Sequence, residues 1–291
     1  MSIVLLGHGG GGRLMAELIE GLFLPRLGSP DLARADDSAV LPEPGGQIAF
    51  TTDSFVVDPP IFPGGDIGRL AVCGTVNDLA ASGARPLYLS TAFILEEGLP
   101  LETLERVANS MAAAAEEAGV RLVAGDTKVV PRGKADRLFI TTSGIGVIPE
   151  GMNVSGHHAR PGDVLLCSGT LGDHGMAIMV ARENLGFVGP IESDVAPLNG
   201  LVAALYPLRH GLHALRDATR GGAAAVLNEI ASQSGVAIEV AEEAVPVRPA
   251  VRVACELLGI DPLYVANEGK MIAVVAPEVA EEALAIWRAH P

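Results

Sequence analysis

Cysteine is scarce in this sequence, and an excess of basic residues is missing. The only three cysteines in 291 residues, Cys73, Cys167 and Cys255, lie far apart. Their odd number and wide spacing argue against disulfides and against a zinc site. Lysine and arginine total 20 against 35 acidic residues, which gives a formal net charge of −15. Without a basic stripe the chain is not expected to bind nucleic acid, and any phosphate-containing ligand would need metal ions as intermediaries.

Long apolar runs are absent as well. Apolar residues make up 49% of the sequence, yet no uninterrupted stretch approaches the roughly 20 residues that span a bilayer. The first residues lack the basic start, apolar stretch and small-residue cleavage site of a signal peptide. We therefore expect a soluble, cytoplasmic protein that binds neither membranes nor nucleic acid.

Helical and strand-like patterns alternate along the chain. Helical periodicity predicts helices at 12–24, 67–83, 101–118, 173–185, 199–206, 221–234, 248–258 and 278–288. Runs rich in Val, Ile, Phe and Thr predict strands at 47–52, 86–95, 120–124, 136–148, 163–168, 236–240 and 270–276. This alternation predicts an α/β (α+β) fold. Turn-forming residues at 149–156 predict a boundary, so we expect an amino-terminal arm and helix in 1–35, one domain in 36–150 and another in 151–291.

The stretch LGHGGGGRLMAE at residues 5–16 resembles a nucleotide-binding loop in spacing. Gly7, Gly9 and Gly12 match the dinucleotide-binding fingerprint. That fingerprint needs a second strand soon after the helix, ending in an acidic residue, but no apolar strand appears before residue 47. The segment is not a Walker loop either, because Arg13 and Leu14 follow Gly12. Two interpretations remain: a glycine-rich lid whose backbone N–H groups fold over phosphates, or a mobile amino terminus.

Five short segments place aspartate beside small or hydroxyl-bearing residues. They are DDSA (36–39), TTDS (51–54), VNDLA (76–80), AGDTK (124–128) and RDATRGG (216–222). In three of them an apolar strand leads into the aspartate, and carboxylates that converge from strand ends can hold Mg²⁺ beside phosphate oxygens. Asp78 instead lies in an apolar predicted helix, where an unpaired carboxylate is costly. Asp36 and Asp53 are equally explained as turn or cap residues, Asp126 taken singly is better explained as a turn residue, and Asp217 could cap a helix. The Asn77–Asp78 pair has little structural use in an apolar helix, and five such segments together favour a metal–phosphate site.

Longer motifs make the pattern specific. They are GHGGGG (7–12), FPGGDIGRLAV (62–72), GTVNDLA (74–80), GDTKVV (125–130), SGTLGDHG (168–175), DATRGG (217–222) and ANEGK (266–270). In this order they resemble the superfamily of ATP-using enzymes that includes aminoimidazole ribonucleotide synthetase, selenophosphate synthetase and thiamine-monophosphate kinase. Within it the chain looks like the HypE family of carbamoyl dehydratases, and the resemblance spans essentially the whole sequence.

The resemblance implies a two-domain PurM-like fold. The first domain would bind ATP and Mg²⁺ and dimerise through its sheet, with ATP in a cleft near the dimer interface. The implied reaction is the ATP-dependent dehydration of a cysteine-linked carboxamide (a thiocarbamate) to a thiocyanate, which supplies the cyanide ligand of the [NiFe]-hydrogenase iron. The implied partners are a second copy of the chain, the carbamoyltransferase HypF and the HypC–HypD complex. Two alternatives stay open: another phosphotransferase or synthetase of the superfamily, and a non-catalytic nucleotide-binding assembly protein.

The resemblance also implies site residues. The metal ligands would be Asp37, Asp53, Asp78 and Asp126, with Asp36 a weaker match. The ATP and phosphate contacts would be Gly9, Gly10, Gly11, Asn77, Thr127, Asp217 and Arg220. Lys128 would neutralise phosphate charge during transfer, and Glu268 would accept the amide protons during elimination. Glu268 is otherwise a loop residue paired with Lys270, and His174, a second candidate base, lies in a segment that equally predicts a helix start.

One feature departs from the family pattern. HypE proteins end in a flexible tail with a Pro-Arg-Ile-Cys-like terminus, whereas this sequence ends at Pro291 without such a cysteine. We expect the sequence to be truncated. As printed, the chain should bind ATP but could not complete a self-modifying cycle.

Overall fold

The computed structural model of the chain describes residues 3–34, 38–183 and 191–290. The helices are α1 (Arg13–Leu18), α2 (Leu24–Leu27), α3 (Ile67–Ala81), α4 (Leu101–Ala118), α5 (Asp173–Glu183), α6 (Asn199–Ala203), α7 (Gly222–Ser234), α8 (Pro249–Leu258) and α9 (Pro277–Ala289). The strands are β1 (Gln47–Phe55), β2 (Ile61–Phe62), β3 (Gly65–Asp66), β4 (Arg85–Glu96), β5 (Arg121–Val130), β6 (Leu138–Ile148), β7 (Val164–Cys167), β8 (Leu212–Asp217) and β9 (Met271–Val275). A π turn (Ile19–Phe23) joins α1 to α2.

The first domain is built on a four-stranded sheet in the order β1-β6-β4-β5. Strand β6 pairs antiparallel with β1 and β4, while β5 runs parallel to β4. A parallel pair needs a crossover connection, and α4 provides it. Helices α3 and α4 pack on one face of this sheet. No described helix covers the other face, which we call the open face; its most exposed side chains include Ile48 and Phe50, with exposed fractions of 57% and 68%.

Helix α3 is the element that carries the sequence's most unusual aspartate into the molecule. Its first turn is capped by Asp66, whose carboxylate accepts the N–H groups of Gly68 at 2.8 Å and Arg69 at 3.1 Å. Most of its residues are buried, because the sheet lies on one side of it and the second domain on another. The Thr75 hydroxyl is hydrogen-bonded to that of Thr142 on β6. The helix is therefore fixed in rotation.

The second domain contains a three-stranded antiparallel sheet in the order β7-β9-β8. All five residues of the central strand β9 are buried. The two domains share apolar clusters: Ala80 of α3 packs with Leu198 and Leu201, and Val195 packs into the core of the first domain. Among the described residues, no helix is long and apolar enough to cross a membrane. The continuity of the cores positions β8 against α3.

Each predicted helix and strand overlaps one in the structure except the strand at 236–240, and the two-residue strands β2 and β3 are absent from the prediction. The predicted strand at 236–240 is wrong, since these residues form no strand. Val236 and Ile238 pack against an apolar cluster of the second domain, so the alternating pattern reports one-sided burial without strand pairing. The prediction also omits β8, which contains no β-branched residue and becomes a strand by pairing with β9.

Candidate active site

A cleft of about 710 Å³ lies between the two domains. Besides Glu183 at the end of α5, four acidic side chains line it: Asp53 on β1, Asp78 on α3, Asp217 at the end of β8, and Glu268 in the loop before β9. We call these four residues the carboxylate cluster. They come from distant parts of the sequence, and the packing of β1, α3 and β8 brings them together.

The carboxylate cluster has few neutralising partners. Asp78 accepts a hydrogen bond from the Thr51 hydroxyl at 2.8 Å, and Asp53 accepts the Ser54 N–H at 2.7 Å. A guanidinium nitrogen of Arg220 lies 3.9 Å from a carboxylate oxygen of Asp53, but its side chain is 91% exposed. An ion pair this long and this solvated contributes little. The cleft is therefore a region of concentrated negative charge.

This arrangement changes the acidity of the cluster. Burial, assisted by the neighbouring Asp78 carboxylate, raises the pKa of Asp217 to about 7. Burial raises the pKa of Asp78 as well, and the Thr51 hydrogen bond opposes it. Burial and the surrounding carboxylates raise the pKa of Glu268 well above its ordinary value. A site that disfavours its own negative charges in this way favours a cation.

Magnesium fits this donor set when a nucleotide accompanies it. No group of three His, Cys, Asp or Glu side chains within residues 3–34, 38–183 and 191–290 is arranged to hold a metal ion by itself. Mg²⁺ usually binds one or two carboxylates and completes its octahedron with substrate phosphates and water. Asp78, partly buried and bonded only to a hydroxyl, is suited to that role.

Asp126 and Lys128 do not belong to the same cluster. Both lie on β5, at the opposite edge of the sheet from Asp53, with a salt bridge of 3.2 Å between them. Asp53 is level with Thr142, which faces α3, whereas Asp126 is level with Ala92 on the open face. Three strand spacings separate the two edges, roughly 14 Å. Because side chains alternate between faces and the two strands lie at opposite edges, Asp53 and Asp126 of one chain do not converge on a single metal position.

The glycine-rich arm lies against β5. At Gly9 an added Cβ would lie 2.7 Å from the backbone nitrogen of Val129, so only glycine permits this approach. Gly11 has a φ of +74° and open space around it, and Gly10 ends the turn between them. The predicted lid therefore lies near Asp126 and Lys128 and away from the carboxylate cluster.

An apolar cavity of about 300 Å³ adjoins the same strand. Phe23 and Leu27 of the amino-terminal helical segment, Phe93 of β4 and the Gly125–Thr127 stretch line it. The Thr127 side chain is 5% exposed and points toward this cavity's side of the sheet. A flat apolar group of moderate size fits such a cavity.

The remaining predicted residues are placed differently. Asn77 is 1% exposed, and its side-chain amide is bonded to backbone groups of residues 196, 198 and 268, which leaves it unsuited to phosphate binding. Asp36 and Asp37 lie outside the described residues. Arg220 reaches the cleft from the loop before α7.

His174 and Glu268 both line the cleft as possible bases. Burial lowers the pKa of His174 to about 4, which makes its imidazole a weak proton acceptor. Its Nδ1 lies 2.8 Å from the Ser193 hydroxyl, and its ring contacts Phe62 edge-on. Glu268, whose pKa is raised, is the stronger base once ionised.

Sequence reasoning did not find Asp194. Its side chain is 1% exposed and forms a 3.0 Å ion pair with Lys270. It also accepts the backbone N–H of Glu268 at 3.1 Å. The loop that carries it has no motif, and only its contacts with Lys270 and Glu268 reveal its importance.

Comparisons with known proteins agree with this architecture. Residues 35–148 match the AIR synthase related protein, N-terminal domain, and residues 160–291 match the corresponding C-terminal domain. The carbamoyl dehydratase HypE of Bradyrhizobium diazoefficiens is 56% identical over 287 residues, covering 98% of this chain and 83% of its own length.

Two solved structures are similarly close. A crystal structure of the hydrogenase maturation protein HypE in complex with ATP has a TM-score of 0.96 and 54% identity, covering 99% of this chain and 85% of that one. A crystal structure of a HypE–HypF complex has a TM-score of 0.83 and 56% identity, covering 94% and 88%.

Proposed function

Because this chain belongs to the AIR synthase related family and, within it, to the HypE carbamoyl dehydratases, we propose that it uses ATP to dehydrate a cysteine-linked carboxamide to a thiocyanate. The product would supply the cyanide ligand of the [NiFe]-hydrogenase iron. The observation that carries the proposal is the carboxylate cluster between the domains, with Glu268 beside Asp217 and Asp78.

The chemistry divides into two steps. The carboxamide oxygen attacks the γ-phosphorus of ATP, so that an O–P bond forms and ADP leaves with the bridging oxygen. One nitrogen-bound proton is lost to give the neutral O-phosphoryl imidate. Removal of the second nitrogen-bound proton then breaks the carbon–oxygen bond, expels phosphate and leaves the carbon–nitrogen triple bond. Phosphorylation is needed because an amide oxygen is otherwise a poor leaving group.

Residues of the cleft suit these steps. Asp53 and Asp78 would hold Mg²⁺ with the nucleotide phosphates, and Asp217 would approach them from the second domain. Bound Mg²⁺ supplies charge neutralisation to the transferring phosphoryl group. Glu268 would accept the imidate proton, and its raised pKa favours that transfer.

The position of Lys128 supports a site made by two copies. Asp126 and Lys128 lie on the open face at the β5 edge, while the carboxylate cluster lies beside the β1 edge. A two-fold axis along the strands, with open faces in contact, brings the β5 edge of one copy opposite the β1 edge of the other. We therefore propose a homodimer in which Lys128 and Asp126 of the partner copy face the nucleotide phosphates.

The β5 region suits the rest of the nucleotide. The apolar cavity beside Gly125 and Thr127 would receive the adenine ring. The backbone N–H groups of Gly9, Gly10 and Gly11 would close over the phosphates. Gly9 and the apolar cavity both adjoin β5, which supports a single binding path from base to phosphates.

HypF is the expected donor of the carbamoyl group. A relative 56% identical to this chain crystallised with HypF, and a HypF partnership is supported on that basis. The HypC–HypD complex would accept the cyano group. No feature of the described surface favours a phosphotransferase acting on a small alcohol, or a non-catalytic assembly protein, over the dehydratase.

The proposed reaction is tested with the chain extended by a cysteine-bearing tail and carbamoylated with HypF. Mass spectrometry should detect ATP-dependent loss of water from the modified cysteine. Replacement of Glu268 by Gln should slow this loss about 100-fold or more, because a positioned base contributes at least that factor, while ATP affinity stays within a few-fold.

Glu229→Gln on exposed α7 serves as the matched control. Absence of water loss from the unsubstituted chain would reject the dehydratase. Water loss at an unchanged rate in Glu268→Gln would reject Glu268 as the base.

A further inference from the structure

Hydrogen bonds hold the backbone of Glu268 on both its N–H and its carbonyl group. Its N–H donates to the Asp194 carboxylate at 3.1 Å. Its carbonyl oxygen accepts the side-chain N–H of Asn77 at 3.3 Å and the backbone N–H of Ala196 at 3.4 Å. Both backbone groups are therefore bonded, and two of the three partners belong to the segment 193–198.

Asn77 makes this arrangement an interdomain one. It precedes Asp78 on α3, in the first domain, while Glu268 lies in the second. The Asn77 amide also donates to the Ala196 carbonyl at 3.0 Å and accepts the Leu198 N–H at 2.7 Å. One buried side chain thus binds three backbone positions. Because Asp78 follows Asn77 in the chain and Glu268 is bonded to it, the distance between Asp78 and Glu268 cannot change without breaking these bonds.

Asn267 performs the same task within the second domain. It is 1% exposed, its amide oxygen accepts the Gly172 N–H at 2.7 Å, and its amide nitrogen donates to the Ala218 carbonyl at 2.9 Å. Ala218 directly follows Asp217, so this bond sets the spacing of Asp217 and Glu268. Each asparagine precedes an acidic residue of the carboxylate cluster in the chain.

Asp194 adds an ion pair to these hydrogen bonds. Its second carboxylate oxygen lies 3.0 Å from the Lys270 ammonium, with side chains 1% and 12% exposed. A Cβ at Gly269 would lie 1.8 Å from the Asp194 carbonyl oxygen, so residues 268–270 are pressed directly onto the 193–198 segment. Because burying a carboxylate costs free energy, we infer that Asp194 has a local role, which is to hold residues 268–270.

We propose that Asn77, Asp194 and Asn267 are positioning residues that fix Glu268 relative to Asp78 and Asp217 across the domain interface. None of the three lines the cleft. Asn77 and Asp194 bond the backbone of Glu268, and Asn267 bonds the backbone of Ala218 beside Asp217. The inference rests on the proposed function, since Glu268 needs accurate placement only if it transfers a proton. A displacement of about 1 Å at a reacting group can reduce a rate on the order of 100-fold.

The experiment separates positioning from folding with two variants at Asp194. Asp194→Asn keeps an oxygen acceptor for the Glu268 N–H but loses the ion pair. The double variant Asp194→Ala with Lys270→Met removes the pair as a unit, avoids a lone buried charge, and removes the acceptor. The assay follows single-turnover water loss from the carbamoylated tail over a range of Mg-ATP concentrations, with thermal unfolding measured in parallel.

We expect the double variant to lose on the order of 100-fold in rate at saturating ATP, with its half-saturating ATP concentration within about two-fold of the unsubstituted chain. Asp194→Asn should be thermally weaker yet retain most of the rate. If rates instead follow unfolding temperatures across both variants, the residues are structural only and the proposal is overturned.

Asn77→Ser provides an independent arm on the first domain. It should also lower the saturated rate, and with little change in ATP affinity. If Asn77 bound phosphate, the half-saturating ATP concentration would rise instead, which overturns the positioning role. An unsubstituted chain that shows no water loss would reject the proposed function itself, an outcome distinct from these.

Discussion

At the scale of single residues, the cleft shows how one environment acts oppositely on acids and bases. Burial raises the pKa of Glu268 and lowers that of His174 to about 4. In both cases the neutral form is favoured, because a low-dielectric surrounding penalises charge. Glu268 thereby becomes a better proton acceptor when ionised and His174 a poorer one. His174 is left as a neutral hydrogen-bonding group beside Ser193.

The His174 environment predicts a pH-dependent stability. The folded state keeps the ring neutral to about pH 4, while the unfolded chain takes up a proton near the ordinary pKa of 6.5. Stability from this group is therefore present above pH 6.5 and is lost as pH falls to about 4. Each pKa unit corresponds to about 1.4 kcal/mol, so the loss amounts to about 3 kcal/mol.

Urea unfolding at neutral pH and near pH 4 measures this loss. His174→Gln should lose about 3 kcal/mol less than the unsubstituted chain between these conditions. The exposed His157 offers the matched control, and His157→Gln should behave like the unsubstituted chain. Equal losses in all three would contradict the burial argument.

At the scale of elements, the first sheet has one face packed and one face open. Helices α3 and α4 bury the first, while Ile48, Phe50 and Ile94 stay 57%, 68% and 39% exposed on the other. Exposed apolar side chains of this kind favour an interaction surface. The same face carries Asp126 and Lys128, so these two predicted site residues lie on the proposed interaction surface.

Phe50→Asp tests the open face. A charge in an apolar interface is costly to bury, so we expect the proposed homodimer to dissociate to monomers in light scattering coupled to gel filtration. The separate chain should still fold, because Phe50 is 68% exposed in it.

Val253→Asp provides the control, since Val253 is 51% exposed on α8 in the other domain. It should leave the dimer intact. A Phe50→Asp chain that still runs as a dimer would remove the open face as the interface.

At the scale of the whole molecule, the site depends on two junctions. The interdomain cleft joins Asp53 and Asp78 to Asp217 and Glu268. The proposed dimer would add Lys128 from another copy. The first junction is built from apolar clusters shared by both domains and from the bonds of Asn77, so it is rigid. The second joins separate chains and should be concentration-dependent.

A mixing experiment distinguishes a site within one chain from a site between two. Asp78→Asn and Lys128→Ala should each abolish water loss as homodimers. After the two variants are unfolded and refolded together, mixed dimers contain one fully intact site if Lys128 acts across the interface. Half of randomly formed dimers are mixed, so about a quarter of the original activity should return.

Mixing Asp78→Asn with Asp53→Asn is the matched control. Both residues belong to the carboxylate cluster of one chain. A mixed dimer therefore contains one cluster without Asp78 and one cluster without Asp53, and neither cluster is intact. Activity should therefore stay at background. No recovery with Lys128→Ala either would place Lys128 within the same chain's site.

The amino-acid sequence by itself determined the family and most of the order of helices and strands, and it predicted the residues of the site. Periodicity locates α4 and β4 because burial on one side repeats every 3.6 or two residues. The motifs around Asp78, Asp217 and Glu268 are local strings, so they are visible without a structure. Strand β8 was missed because its residues have no strand preference of their own, and it forms by pairing with β9.

Only the tertiary structure decided which of these groups meet. Asp53 and Asp126 look alike in sequence, yet strand alternation and sheet order place them on opposite faces and edges. Asn77 looks like a phosphate ligand, yet it bonds a loop more than a hundred residues away. Such contacts depend on the relative placement of whole elements, because hydrogen bonds between distant segments leave no local pattern in either one.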